Sequence, residues 1–109
     1  MIMAADLRGQ IPDATRERFG RSGTDDASDA YRHFYGAFAL GRLLGPARAM
    51  SILNANEVQN GGGKTGSINM DTHNNWLGVT MSQDSRFRGR SVAAATEYAL
   101  GNGCLQVAP

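Results

Sequence analysis

DDASDAYRHFYGAFALGRLL, residues 25–44, carries the clearest helix signature in the chain. Thr24 can cap its start, and Asp25 and Asp26 place negative charge in the first turn, where unpaired backbone N–H groups and the macrodipole favour it. Gly45 followed by Pro46 stops it. Between these ends Ala30, Phe34, Ala37, Phe38, Leu40, Gly41 and Leu44 recur at spacings of three and four, so one broad apolar face must be buried. Asp29 and His33 sit four apart beside that face. A carboxylate can therefore reach the imidazole across one turn, with Arg32 as the adjacent cation.

The rest of the chain is read by how it serves this helix. A length of 109 residues is enough for one domain with a modest core. Hydrophobic and charged shares of 41% and 19% are those of an ordinary globular chain, whereas 14 glycines are about twice the usual share and predict generous loops. The fold class expected is all-α, a small bundle of four to five helices forming a single domain over 1–109. A short helix and linker occupy 1–23, a helical core 24–100, and an irregular tail 101–109.

A net charge of +1 gives no electrostatic case for nucleic acid or an anionic membrane. Cys104 is the single cysteine, so no intrachain disulfide can form, and no catalytic motif surrounds it. Asp6 and Arg8 fall where a signal peptide needs its apolar region, and Arg42 and Arg48 interrupt the best candidate for a membrane span. The expected localisation is secretion or delivery by a leaderless route, and otherwise the cytoplasm. The MIMAADLRGQ opening also suits a piece of a longer polypeptide.

Along the chain, Asp13 is expected to cap a short helix running to about Phe19, and residues 20–23 make a connection. Pro46 suits the first turn of a second helix ending near Gln59, with Ala49, Met50, Ile52 and Leu53 on its apolar side. Continuing that face brings Glu57 to its edge near the C-terminal end, where the macrodipole disfavours a carboxylate and a partner is needed. NGGGKTG, residues 60–66, resembles a phosphate loop only superficially. The first glycine that motif requires falls at Val58, and no strand precedes it.

A third helix, MDTHNNWLGVTM at residues 70–81, is expected to start from Ser67 or Asn69 as cap. Asn has weak helix propensity, so Asn74 and Asn75 within a turn of Asp71 and His73 point to side chains held for their hydrogen bonds. Gly78 allows close approach of a backbone or ligand. Arg86, Arg88 and Arg90 read as a solvated surface before a last helix from about Ser91 to Leu100, which Gly101 ends. No internal repeat and no convincing strand is visible, apart from a short pairing considered near residues 105–108.

Three segments thus offer groups for one cleft. His33, Glu57 and Asp71 are the candidate acid–base residues, with Asp29, Arg32, His73, Asn74 and Asn75 orienting them or holding substrate. The competing expectation is a core histidine satisfied by Asp29, with Glu57 paired to Arg32, which would only fix helix packing. No cofactor is expected. The alternative is a divalent metal such as zinc or manganese on His33, Glu57, Asp71 and His73, although the two histidines lack a local H-x-x-x-H frame.

The run D-A-Y-R-H-F-Y, a following helix with a late Glu, and M-D-x-H-N-N-x-x-G together resemble small bacterial domains at the C-termini of secreted or polymorphic-toxin-type proteins. The match falls on Arg32, His33, Glu57, Asp71, Asn74, Asn75 and Gly78. Asn56 departs from it, standing where the pattern tends to carry a histidine. The resemblance implies an effector or toxin context. The function expected is a hydrolase-like effector domain with acid–base chemistry on a cell-envelope or other macromolecular substrate. The alternative is a non-catalytic module binding a partner such as a secretion component or an immunity protein. Disruption of a membrane by the 34–44 segment ranks last, because the segment is short and its neighbours are charged.

Overall fold

The computed structural model describes residues 27–60 and 65–107, with side chains from 56 to 69 excepted. The chain is an all-α bundle. Among the described residues there are four α-helices and no strand: α1 (Ala27–Leu44), α2 (Pro46–Asn60), α3 (Thr65–Ser82) and α4 (Val92–Gly101), with a 3₁₀ turn at Ser85–Phe87. The helix expected over 13–19, its Asp13 cap and the Thr24 cap lie outside the described residues. Residues 105–107 form no strand.

α1 is the axis of the bundle and packs most extensively on α3, with α2 and α4 also against it. Its apolar stripe turns inward as the spacing requires. Ala30, Phe34, Ala37 and Phe38 are fully buried. Phe34 and Phe38 stack one turn apart, 5.9 Å between ring centres. They form one core with Met81, Phe87, Ala95 and Ala99, and burying each ring contributes about 2–3 kcal/mol. Ala37, Ala49 and Val79 make a second cluster that ties α2 to the α1–α3 pair.

One glycine ends a helix and another sets how closely two helices meet. Gly45 takes φ 84° between α1 and α2, a left-handed conformation that a Cβ would penalise. It ends α1 and leaves Pro46 to open α2, as the Gly-Pro step predicts. Gly78 lies where α3 crosses α1. A Cβ there would stand 2.8 Å from the Phe34 carbonyl oxygen and 3.0 Å from the Phe38 nitrogen, so the close approach read from sequence is made by backbone.

α3 starts earlier than expected. Thr65 is its first residue, so Ser67 and Asn69 are inside the helix rather than caps. α4 starts beside Ser91 as expected, and the structure adds its cap, the Ser91 hydroxyl accepting the Ala94 N–H at 3.0 Å. Its end differs. Gly101 is still helical, and Gly103, at φ 69°, is the left-handed residue. The Cys104 N–H donates to the Ala99 carbonyl and the Gly103 N–H to that of Leu100, the pair of bonds of a Schellman stop.

The arginines after α3 do more than face solvent. Arg90 lies over both Phe87 and Tyr98, 5.4 and 5.5 Å from their ring centres, and Arg86 lies over Phe87 at 5.6 Å. Arg42 of α1 covers Phe38 at 4.5 Å and donates to the Phe87 carbonyl at 2.5 Å. Cations thus cover Phe38 and Phe87 at this end of the core, with the exposed Tyr98 beside them.

Candidate functional site

On an α-helix a step of four residues returns the side chain to nearly the same face. α1 presents Asp29 and His33 in this way, and α3 presents Asp71 and Asn75. Where the two helices pack, these two pairs meet. His33 Nε2 lies 3.4 Å from Asp29 Oδ1 and 3.3 Å from Asp71 Oδ1. Its other ring nitrogen, Nδ1, faces Asn75 Oδ1 at 3.3 Å.

The cluster is shielded but reachable. The Asp29 side chain is 3% exposed and that of Asp71 13%, while His33 retains 23%. Asp71 Oδ1 is closed to solvent, and Asn75 is buried. Arg32, partly exposed, pairs with Asp29 from one turn further along α1. Burying carboxylates is costly unless positive charge or donors accompany them. The arginine meets this need at Asp29, and the ring of His33 stands between the two acids.

Nδ1 facing a side-chain carbonyl is the arrangement of a ring that donates from Nδ1. Nε2 then points at two carboxylate oxygens. A lone pair there would be repelled by both, so this side of the imidazole calls for a proton or another positive centre. The site can hold, orient and exchange positive charge at one point.

His73 and Asn74 separate from the cluster. His73 is turned away from the cluster, with Nε2 3.1 Å from the Cys104 carbonyl oxygen and its ring 6.4 Å from that of the exposed Trp76. Asn74, fully buried, grips the main chain of Gln106. Its Nδ2 donates to the Gln106 carbonyl at 2.8 Å and its Oδ1 accepts the Gln106 N–H at 2.9 Å. Consecutive asparagines therefore serve two jobs, Asn75 at His33 and Asn74 at the tail. Glu57 is within α2, and its side chain lies outside the described residues. Of the alternative metal set His33, Glu57, Asp71 and His73, the described residues bring together His33 and Asp71, joined by Asp29, with donor atoms all within 4.8 Å of one another.

A second polar feature escaped the sequence reading. Arg42, Ser82, Gln83, Asp84 and Arg88 line an open hollow of about 400 Å³. Gln83 Nε2 donates to the Gly41 carbonyl at 3.0 Å. Arg86 donates to both oxygens of Asp84, and these side-chain bonds hold the Asp84 carboxyl below the usual carboxylate range. Arg42 is nine residues from His33 on α1, about 14 Å along the helix axis, so this hollow is separate from the histidine cluster.

No family model matches the chain, and no curated protein or solved structure does.

Proposed function

We propose that the chain is a small effector or toxin-type domain with hydrolase-like chemistry centred on His33. The observation that carries this reading is the convergence of two shielded carboxylates, from different helices, on one imidazole that solvent still reaches. In this reading His33 exchanges the proton with substrate, Asp71 and Asp29 stabilise the imidazolium, and Asn75 fixes the ring. Arg32 balances Asp29. Glu57, on α2, is the second acid–base group of the proposal. The substrate class is a macromolecule, cell-envelope material first. Among the described residues no helix is long and apolar enough to cross a membrane.

A second reading rests on the depth of Asp29, whose side chain is 3% exposed. Here the network only fixes how α1 sits on α3, and another face binds a partner protein such as an immunity factor. Release of soluble fragments from purified bacterial envelope preparations separates the two. The hydrolase reading expects release by the wild-type chain and its loss in Asp71→Asn with helical content unchanged. Equal release by both proteins would remove Asp71 from the chemistry, and no release from any envelope fraction would leave the binding module.

A further inference from the structure

We infer that Asp29, His33 and Asp71 form a binding site for a divalent transition-metal cation, held at the point where Nε2 faces the two carboxylate oxygens. The inference needs only the cluster and is tested without hydrolysis; an ion on Nε2 takes the place of proton exchange at His33 while it is bound.

The spacing of the donors is the first argument. Ligand bonds of about 2.1 Å at tetrahedral angles set neighbouring donor atoms about 3.4 Å apart. Nε2 is 3.4 Å from Asp29 Oδ1 and 3.3 Å from Asp71 Oδ1, and all three donor atoms fall within 4.8 Å of one another. The two Nε2–carboxylate distances match edges of a coordination polyhedron, in a cluster that also fits three groups sharing a proton.

The second argument is the back of the ring. Metal-bound histidines donate their other N–H to a carbonyl or carboxylate, which fixes the tautomer and aims the lone pair at the ion. Asn75 Oδ1 stands at this position, 3.3 Å from Nδ1, and Asn75 is 1% exposed. It is therefore a fixed part of the helix interface.

The donor set selects the ligand. One imidazole with two carboxylates suits Zn²⁺ or Mn²⁺ better than a soft cation that prefers thiolate. Two carboxylate charges match a dication. Arg32 is the competing cation at Asp29. It is 31% exposed and pairs with the same Oδ1, so an ion at this point has to share that oxygen with Arg32 or displace it.

The chain has two histidines, so their ring signals report the site directly. Zinc chloride is titrated into the full chain carrying Cys104→Ser, which removes the thiol as a competing ligand, with calorimetry alongside imidazole NMR. One equivalent is expected to bind and to move the His33 ring signals while those of His73 stay in place. Asp71→Asn is expected to weaken binding more than tenfold, and Asn75→Ala by about 10–100-fold. Unmoved His33 signals at saturating zinc would overturn the inference, as would binding that follows His73 or an affinity unchanged in Asp71→Asn. Should Asp71→Asn fail to fold, the contrast between the two wild-type histidines decides alone.

Discussion

Asn74 and Gln106 are joined as two strands of a sheet would be, the side-chain amide donating to the Gln106 carbonyl and accepting its N–H. One fully buried side chain thereby fixes the C-terminal tail to α3, with His73 Nε2 against the Cys104 carbonyl as a second clasp. Asn74→Ala removes both bonds and leaves a cavity, so a loss of about 1–3 kcal/mol is expected. Asn74→Asp should cost at least as much, because a carboxylate oxygen would then face the Gln106 carbonyl. Thermal unfolding followed by circular dichroism checks both. Melting temperatures equal to wild type would mean that the tail is not docked through Asn74.

Gly78 sets the distance between α1 and α3, and so the geometry of everything the two helices share. A Cβ at this position meets backbone atoms of Phe34 and Phe38, which cannot rotate away as a side-chain tip could. Gly78→Ala should therefore destabilise by about 1–3 kcal/mol through overpacking. Gly89, with nothing within 4 Å of a Cβ, is the control and should tolerate alanine within about 0.5 kcal/mol. Equal effects at the two sites would contradict the close crossing.

The Asp84–Arg86 pair gives a pH signature with a definite sign. Because the folded chain lowers the Asp84 pKa, the pair's contribution is present above the unfolded value of about 3.9 and disappears as pH falls through the lower folded value. The pair is exposed, so its effect on stability near neutral pH is small. Carboxyl-carbon NMR should find Asp84 titrating below the usual range, and Arg86→Ala should return it upward. An Asp84 titration indifferent to Arg86→Ala would exclude these bonds in solution.

How much of this was legible in the sequence depends on where each residue's partner sits. α1 was readable because its apolar spacing and its Gly45-Pro46 stop are local. The start of α3 was misjudged because Ser67 and Asn69 have the chemistry of caps, yet the helix begins at Thr65, and cap chemistry does not say which of several polar residues the chain will use. The pairing of Asp29 with His33 followed from their spacing. Asp71 and Asn75 follow the same rule on α3, whereas His73, about 200° around the helix from Asp71, belongs to another face. That separation was available in the sequence and argues against His33, Asp71 and His73 sharing one ion. The grip of Asn74 on Gln106 had no local signal, because a polar tail looks the same whether it is docked or loose.

The measurement that bears most directly on a working site at His33 pairs melting temperature with bacterial growth for the wild-type chain and His33→Gln. Glutamine keeps an N–H donor for one carboxylate, so the helix interface is largely preserved. The functional account expects growth arrest by the wild-type chain, its loss in His33→Gln, and a melting temperature within a few degrees of wild type. Removing a partner that serves only to hold buried charge typically costs about 3–5 kcal/mol. A variant that melts many degrees lower, with any effect on growth merely following its folded fraction, would contradict the account and leave the cluster a device for packing α1 on α3.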